Sequence, residues 1–494
     1  MIITTGNILL VGSLLLIVSI VLSKAGYRFG VPTLLIFLIV GMLFGSDGLG
    51  LQFHNASEAQ FIGVIALSII LFTGGLDTRF SDIKPIMSPG VVLSTLGVVL
   101  TTLFSGLFIY WISGFGWTSI TLPLTTSLLL AATMSSTDSA SVFNILRSQR
   151  MSLKYNLRPM LELESGSNDP MAYMLTLMLI QVVGVGNVSA ADVVSMLAVQ
   201  FAVGGLGGFL LGRAVVLFIN KLRLNNASLY PIIMLGNVFF IYSLIDKCGG
   251  NGFLAVYIAG IVVGNSRISY KREVSTFLDG VTWLLQIVLF LILGLLVNPH
   301  EMWSIAGAGL LIGLFMILVG RPLSVFICLL PFRKLNFNSR LFVSWVGLRG
   351  AAPILFATYP IIADVEGANI IFNVVFFVTI LSLVVQGTTL SSMGKWLGVS
   401  EPQPETPDYF GVEIPEELET SLNAMDVTAD MLVDGVTLKE VSLPKGALVM
   451  LIRRGHNYIV PNGSVQLLEG DRLLMISQEV KPRETLKDGY DSCQ

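Results

Sequence analysis

Long apolar stretches separated by short polar loops fill the chain from its start to about residue 398. A helix of about 20 apolar residues crosses a bilayer core of about 30 Å. Measured against that length, the pattern predicts an all-α membrane domain of about thirteen transmembrane helices. The predicted spans lie near residues 7–23, 31–46, 58–76, 88–112, 122–146, 157–183, 192–219, 229–246, 252–265, 280–297, 303–330, 340–363 and 369–394.

Basic residues in the loops predict how these helices are oriented, because cytoplasmic loops gather Lys and Arg. One alternating set of loops contains seventeen such residues, whereas the opposite set contains only Lys247. We therefore expect the N-terminus outside the cell and the C-terminus in the cytoplasm, which requires an odd number of spans. The seventeen residues are Lys24, Arg28, Arg79, Lys84, Arg147, Arg150, Lys154, Arg158, Lys221, Arg223, Arg267, Lys271, Arg272, Arg333, Lys334, Arg340 and Lys395.

The pattern changes after the last span. EPQPETPDY is rich in Pro and acidic residues and indicates a linker over residues 399–410. Beyond it, GALVMLIRRG, NYIVP and SVQLLEGDRLLMIS have the length and turn signals of short strands. The sequence thus predicts a membrane domain over residues 1–398 and a small α/β cytoplasmic domain over residues 411–494.

Composition agrees with a membrane protein. The chain is 53% hydrophobic and 12% charged, whereas soluble domains carry about 25% charged residues. Residues 1–400 have a net charge of +6 and residues 401–494 a net charge of −9, so nucleic acid is not an expected partner of the tail. The three cysteines, Cys248, Cys328 and Cys493, lack metal-ligand spacing.

Ionisable residues inside spans are costly in a bilayer and usually functional. The fifth span, LLLAATMSSTDSASVFNIL, is polar from Thr133 to Ser139, so its helix is expected to break there and to line a cavity. Ser and Thr side chains that bond to their own helix are the alternative, but they leave Asp138 unexplained. Thr137 and Asp138 are therefore candidate binding residues. The ionisable residues within spans are Asp138, Glu162, Glu164, Asp169, Arg321 and Arg349.

The sixth span, MLELESGSNDPMAYMLTLML, supplies the central candidate. A glycine and a proline bracket Asn168 and Asp169, which predicts a flexible helix around the acid. Ser165 and Asp169 are four residues apart and share a helix face, as do Glu164 and Asn168. A cation would thus meet a carboxylate and a hydroxyl on one side. A carboxylate satisfied inside the core is the alternative for Asp169.

The twelfth span, SWVGLRGAAPILFATYP, places Arg349 between two glycines and ahead of Pro353, which predicts a second interrupted helix. A buried guanidinium needs a carboxylate partner, and Glu164 is the preferred one, so that Glu164 and Arg349 would form a structural ion pair. Interrupted helices in the fifth and twelfth spans indicate two inverted six-helix repeats, joined by one extra helix, with a binding site at the midplane.

At these residues the chain resembles the NhaP-type cation:proton antiporters of bacteria, in particular their potassium/proton branch. The resemblance covers nearly all of the membrane domain, and ESGSNDP together with GLRGA is a specific pair. The tail resembles the C-terminal half of an RCK domain (TrkA-C-like). The matching segments are STDSASVF (136–143), ELESGSNDPMA (162–172), LAVYIAGIVVGN (254–265), WLLQIVLFLILGLLVNP (283–299), LLPFRKLNFNSR (329–340) and SWVGLRGAAP (344–353).

The resemblance implies that the protein is an NhaA/NhaP-like homodimer in the lipid of the bacterial inner membrane. It also implies that the protein acts in pH homeostasis. It implies that Asp169 binds the cation and the proton in turn, with Ser165 and the Thr137 backbone as cation ligands. Asn168 occupies the place where electrogenic relatives carry a second Asp. The third span has Thr73 where sodium-selective relatives can carry an acid, which favours the potassium branch.

The expected mechanism is competition at one carboxylate. A proton or a monovalent cation neutralises Asp169, and the two cannot bind together. A neutral loaded site crosses the membrane at low cost, whereas the empty anion carries a heavy desolvation cost. This predicts electroneutral K⁺/H⁺ exchange by a protein that is not an enzyme and needs no cofactor beyond the transported ions. A small-molecule regulator of the tail is compatible with the RCK resemblance, and the sequence does not name it.

Three alternatives remain at this stage. A Na⁺/H⁺ antiporter of the same fold is the nearest. A potassium channel with a regulatory tail would need a filter such as TVGYG, which the sequence lacks. An intramembrane aspartyl protease that uses Asp138 and Asp169 would need a GxGD segment, which is also absent.

Overall fold

The structure is a computed structural model in which the chain divides into two compact units at the Pro402–Gln403 bond. The residues that it describes are 5–28, 32–51, 53, 55–115, 120–149, 151–185, 189–402, 422–432, 435–441, 443, 447–455 and 457–476.

The first unit is helical, and each predicted span has a helical counterpart, which confirms the all-α membrane fold. By length and composition, seven of the described helices can cross a membrane, and shorter apolar helices accompany them. In chain order the helices are α1 Thr5–Arg28, α2 Thr33–Phe44, α3 Ala56–Asp77, α4 Phe80–Ser113, α5 Leu124–Thr133, α6 Ser139–Ser148, α7 Leu157–Val185, α8 Ala190–Lys221, α9 Leu229–Lys247, α10 Gly252–Gly264, α11 Lys271–Leu295, α12 Pro299–Leu329, α13 Phe337–Trp345, α14 Ala351–Ile362 and α15 Ala368–Trp396.

Polar side chains begin several of these helices by binding the backbone amides that have no partner in the first turn. The side chain of Asn55 accepts hydrogen bonds from the amides of Ser57 and Glu58 at the start of α3. Ser189 and Asp192 form a reciprocal capping box at the start of α8. Helix starts are therefore fixed locally by the sequence.

Glycines let α3 and α10 pack backbone against backbone. A Cβ on Gly75 would lie 2.4 Å from the carbonyl oxygen of Tyr257, and one on Gly260 would lie 2.3 Å from that of Phe72. Small residues at a membrane helix interface permit such close approach, which increases dispersion contacts where lipid gives no hydrophobic driving force.

The fifth and twelfth spans are interrupted, as predicted. The fifth consists of α5 and α6 with residues 134–138 unwound between them, and the twelfth consists of α13 and α14 with residues 346–350 unwound. The two interruptions meet, because the amide of Asp138 donates a hydrogen bond of 2.8 Å to the carbonyl oxygen of Leu348. One broken helix thus satisfies a backbone group released by the other.

The sixth span differs from the expectation of a flexible helix around the acid. Helix α7 continues through Gly166 and Pro170 without interruption. Gly166 serves close packing instead, since a Cβ there would lie 2.3 Å from the ring of Tyr257. The carbonyl oxygen of Pro170 accepts a hydrogen bond of 2.8 Å from the side-chain amide of Asn251.

Two π-helical turns support the predicted repeat. Leu93–Gly97 in α4 and Met316–Gly320 in α12 are π-helical. They lie in the fourth and eleventh spans, seven spans apart, which is also the separation of the two interrupted helices.

A short sheet corrects the predicted start of the linker at residue 399. Strand β1, Met151–Leu153, pairs antiparallel with β2, Ser400–Pro402. The amide of Lys154 also donates to the carbonyl oxygen of Val399 at 2.9 Å. The segment that follows α15 therefore belongs to the membrane domain up to Pro402.

The tail contains the strands β3 Leu422–Asp426, β4 Leu448–Arg454, β5 Asn457–Ile459 and β6 Arg472–Ile476. They form an antiparallel sheet in the order β3-β6-β4-β5, and its core includes Val427, Ile452 and Leu473. The sequence predicted strands at β4, β5 and β6, whereas it did not predict β3. The expected helical part of an α/β domain is limited, within the described residues of the tail, to a 3₁₀ turn at Ala429–Leu432.

Candidate ion-binding site

The broken fifth span provides the backbone of the site. Because residues 134–137 lie between two helices, their carbonyl groups are not held in a regular helical hydrogen-bond ladder. The Ser165 hydroxyl on α7 donates to the carbonyl oxygen of Thr137 at 2.9 Å and accepts from the amide of Ser139 at 3.0 Å. Ser165 therefore joins α7 to the break.

Asp169 lies one turn after Ser165 on α7 and is 9% exposed. One of its carboxylate oxygens accepts a hydrogen bond from the hydroxyl of Ser136. The sequence reasoning did not single out Ser136, although it belongs to the polar run that predicted the break. The central acid thus faces the broken helix.

Asn168 is fully buried next to the same break. Its side-chain amide donates to the hydroxyl of Thr137 at 2.5 Å, and its oxygen has no hydrogen-bond partner among the described residues. A buried acceptor without a donor is uncommon. Asn168 therefore keeps one free oxygen beside Thr137.

Asp138 has a structural task in addition to its predicted one. Its carboxylate caps α6 by accepting hydrogen bonds from the amide of Ser141 at 3.2 Å and from the Ser141 hydroxyl. Its backbone amide is the group that bonds to Leu348. The side chain is less buried than that of Asp169 and lines the same cavity.

The predicted Glu164–Arg349 ion pair is wrong. Glu164 pairs with Arg321, whose Nη2 donates to the carboxylate, and both side chains are buried. The Arg349 guanidinium instead donates from Nη1 to the carbonyl oxygen of Ser136 at 2.9 Å. Glu164 therefore bonds to a residue of α12. Arg349 bonds instead to the unwound backbone of the fifth span, where the Ser136 carbonyl is available as an acceptor.

A cavity of about 760 Å³ connects Asp169 to the protein surface. Asp138, Ser165 and Asp169 line it, whereas Thr137 and Asn168 lie behind this lining. Exposed residues, among them Arg79, Asp82 and Arg147, also line the cavity. The acid is therefore buried in the fold and shares a cavity with residues at the surface.

This geometry favours neutralisation of Asp169. A buried anion is costly unless it is paired, and no ion pair to Asp169 is found within the described part of the chain. One hydrogen bond from Ser136 is a partial compensation. A proton or a monovalent cation that enters along the cavity would remove the charge. Across the described ranges, no group of three or more His, Cys, Asp or Glu residues is arranged to hold a metal ion.

Two broken helices that meet beside a buried carboxylate define a class of protein. Secondary transporters place their ion sites where discontinuous helices meet near the middle of the membrane. Comparison with protein families identifies the particular family. Residues 13–396 match the model of the sodium/hydrogen exchanger transmembrane domain, so the chain belongs to the sodium/hydrogen exchanger family. Residues 424–479 match the TrkA-C domain.

Similar proteins confirm the predicted resemblance to NhaP-type antiporters. The chain is 38% identical over 480 residues to "K(+)/H(+) antiporter NhaP2" of Shewanella sp. (strain MR-4), and the match covers 95% of this chain and 81% of that protein. It is 41% identical over 403 residues to "K(+)/H(+) antiporter NhaP" of Alkalimonas amylolytica, which covers 81% of this chain and 68% of that protein.

The fold is also found among solved structures. The sodium proton antiporter MjNhaP1 of Methanocaldococcus jannaschii superposes with a TM-score of 0.68 at 22% sequence identity. The match covers 78% of this chain and 97% of that structure. At this identity the likeness establishes the fold of the membrane domain.

Proposed function

We propose that the protein exchanges potassium for protons across the bacterial inner membrane through Asp169. The observation that carries the proposal is a buried carboxylate at the inner end of an open cavity, next to a broken helix. The relatives of 38% and 41% identity bear the name K(+)/H(+) antiporter. The neutral Thr73 in the third span, which also lines the cavity, fits the same cation.

Coupling follows from the single carboxylate. Asp169 is neutral when it holds a proton or a monovalent cation, and it cannot hold both. Movement of the empty, charged site is opposed by the cost of a buried ion. One positive charge therefore replaces another in each cycle, and the exchange is electroneutral. The side-chain oxygen of Asn168, which is unpaired within the described part of the chain, is one candidate ligand near the acid. The Ser165 hydroxyl and the Thr137 carbonyl supply further oxygens once the cation displaces the hydrogen bond between them.

The residues that line the cavity support a proposal for the side that the site faces. They include Arg79, Arg147 and Arg158, which belong to the basic set of loops. Because basic loops favour the cytoplasm, this lining supports an inward-facing site, with the N-terminus outside and the tail cytoplasmic. Accessibility of single cysteines at residues 79 and 247 to a membrane-impermeant reagent, in intact cells and in inside-out vesicles, tests this orientation.

Replacement of the central acid tests the proposal. Asp169→Asn keeps the size of the side chain and removes the titrating group, so inside-out vesicles should show no potassium-induced recovery of a pH-dye signal. Asp364→Asn is the matched control, because Asp364 is exposed and lies outside the cavity. The variant and the control are compared at equal amounts of folded protein. Potassium-driven recovery with Asp169→Asn would falsify the proposal.

Sodium/proton exchange is the second candidate. The chain is 28% identical over 415 residues to "Na(+)/H(+) antiporter NhaH" of Halobacillus aidingensis. Purified protein in liposomes, with separate additions of potassium, sodium and lithium, distinguishes the two. Exchange with sodium and none with potassium would replace potassium as the proposed cation while leaving the role of Asp169 intact. A current that persists without a proton gradient would instead indicate a channel.

We further propose that the protein works as a homodimer and that its tail is a regulatory domain. The match of residues 424–479 to the TrkA-C domain supports the second part. Cross-linking of the protein in native membranes tests the dimer. Exchange by a chain that ends at residue 402, compared with the full chain, tests regulation: an unchanged dependence on potassium and pH would contradict it.

A further inference from the structure

Helix α15 carries two polar residues in its buried interior. Ser382 and Gln386 are one turn apart, and each is 1% exposed. The Ser382 hydroxyl donates to the side-chain oxygen of Gln386 at 2.6 Å. Buried polar side chains in a membrane helix are costly, so their remaining hydrogen bonds indicate what they do.

Both residues bind the broken twelfth span. Gln386 donates from Nε2 to the carbonyl oxygen of Trp345, the last residue of α13, at 2.8 Å. The backbone amide of Arg349 donates to the Ser382 hydroxyl oxygen at 3.0 Å. The pair therefore satisfies a backbone acceptor at the beginning of the break and a backbone donor near its end, which no helix provides there.

The contacts continue from the break to the central acid. The backbone amide of Arg349 donates to the Ser382 hydroxyl oxygen, and the Arg349 guanidinium donates to the carbonyl oxygen of Ser136. The Ser136 hydroxyl donates in turn to Asp169. An unbroken series of buried hydrogen bonds thus leads from α15 to the carboxylate.

We propose that Ser382 and Gln386 are positioning residues of the exchange site, which hold the broken twelfth span so that Arg349 and Ser136 orient Asp169. The proposal rests on the exchange function proposed above. Neither residue touches the cavity that leads to Asp169. Their effect is to fix the opened backbone before the cation arrives, so that binding does not have to order it.

The direction of the hydrogen bonds makes the arrangement specific. The Gln386 oxygen faces a donor, the Ser382 hydroxyl, and its nitrogen faces an acceptor, the Trp345 carbonyl. Leucine is of comparable size and can make neither contact. Gln386→Leu therefore tests the two hydrogen bonds with little change in volume.

The decisive comparison uses two serines of the same helix. Ser382 and Ser391 are both buried in α15, but the Ser391 hydroxyl has no partner among the described residues. In liposomes, Ser382→Ala should raise the KM for potassium about three- to tenfold, the factor that loss of one hydrogen bond represents. Its maximal rate per folded protein should stay within about twofold of wild type. Ser391→Ala should keep the wild-type KM.

A merely structural role predicts another result: less folded protein and an unchanged KM. If Ser382→Ala and Ser391→Ala have the same KM, the proposal is overturned. The same conclusion follows if Gln386→Leu keeps the wild-type KM.

Hydrogen–deuterium exchange separates this inference from the proposed function. The amides of residues 346–350 should exchange faster in Ser382→Ala than in Ser391→Ala, whether or not potassium is the substrate. If the wild-type protein exchanges no potassium, the proposed function is wrong, but the hydrogen–deuterium exchange of residues 346–350 still tests the positioning role. Equal protection of residues 346–350 in the two variants would overturn the positioning role.

Discussion

The ion pair between Arg321 and Glu164 gives a prediction that can be worked out quantitatively. The two side chains are 3% and 1% exposed. Removal of one partner leaves the other charge buried without a counter-charge, which costs about 3–5 kcal/mol in comparable pairs. We therefore expect Arg321→Met and Glu164→Gln each to destabilise the membrane domain by about that amount.

Removal of both partners should cost much less than either single change. The Nε atom of Arg321 is buried and finds no hydrogen-bond partner among the described residues. The desolvation of this guanidinium is thus only partly compensated in the wild type. Since neutral replacement of a buried pair is often close to neutral in free energy, the double variant should lie within about 1 kcal/mol of wild type. Two single losses of about 3–5 kcal/mol each then imply a coupling energy of at least about 5 kcal/mol in magnitude.

Equilibrium unfolding in mixed micelles, with SDS as the denaturant, measures these free energies. A second cycle with Glu164→Gln and Arg349→Met is the control, because Arg349 bonds to the Ser136 carbonyl instead of to Glu164. Its coupling should be clearly smaller. The reasoning is refuted if Glu164 couples more strongly to Arg349 than to Arg321, or if the double variant is the least stable of the set.

Two further predictions address other parts of the molecule. Gly350→Ala should abolish exchange in the vesicle assay at equal protein amounts, because the added Cβ would lie 2.4 Å from an Asp138 carboxylate oxygen. Gly236→Ala should retain exchange, because a Cβ there would have nothing within 4 Å. In the tail, burial alone would raise the pKa of Asp471, but hydrogen bonds from Arg454 and a backbone amide hold it below its usual range. This carboxylate therefore stabilises the tail above its unfolded pKa of about 3.9 and loses that contribution as pH falls through its lower folded value. At pH 7, rate-corrected hydrogen exchange of the tail should show less protection in Asp471→Asn than in wild type. The difference should disappear at a pH low enough to protonate Asp471.

The order and interruption of the spans were predictable because they depend on local properties. The length of an apolar run determines whether a helix can cross the bilayer. The polar run before Ser139 and the glycines around Arg349 act on the backbone of their own segment. Both breaks were therefore predicted from the sequence at the positions where the structure has them.

The partner of Glu164 was not predictable in the same way. Two arginines, Arg321 and Arg349, lie inside predicted spans, and either would compensate the carboxylate. The sequence gives the depth of each charge along its helix but not which neighbouring helix it faces. The choice is made by tertiary packing, which placed Arg321 directly after a π-helical turn and Arg349 beside an opened backbone.

Ser136, Ser382 and Gln386 were missed for a related reason. A serine in a membrane helix commonly bonds to the carbonyl of its own preceding turn, as Thr379 does in α15. Nothing in the sequence around Ser382 distinguishes it from that case. Ser382 and Gln386 gain another partner where a broken helix offers unpaired backbone groups. Ser136 gains one because its own segment is unwound beside Asp169.

The pairing of β1 with β2 has a mechanical consequence. Residues 151–153 form the loop between α6, capped by Asp138, and α7, which carries Asp169, and they are fastened to residues 400–402, where the chain leaves the membrane domain. A pulling force on the backbone at residue 403 would therefore act on the connection between these two helices as well as on α15.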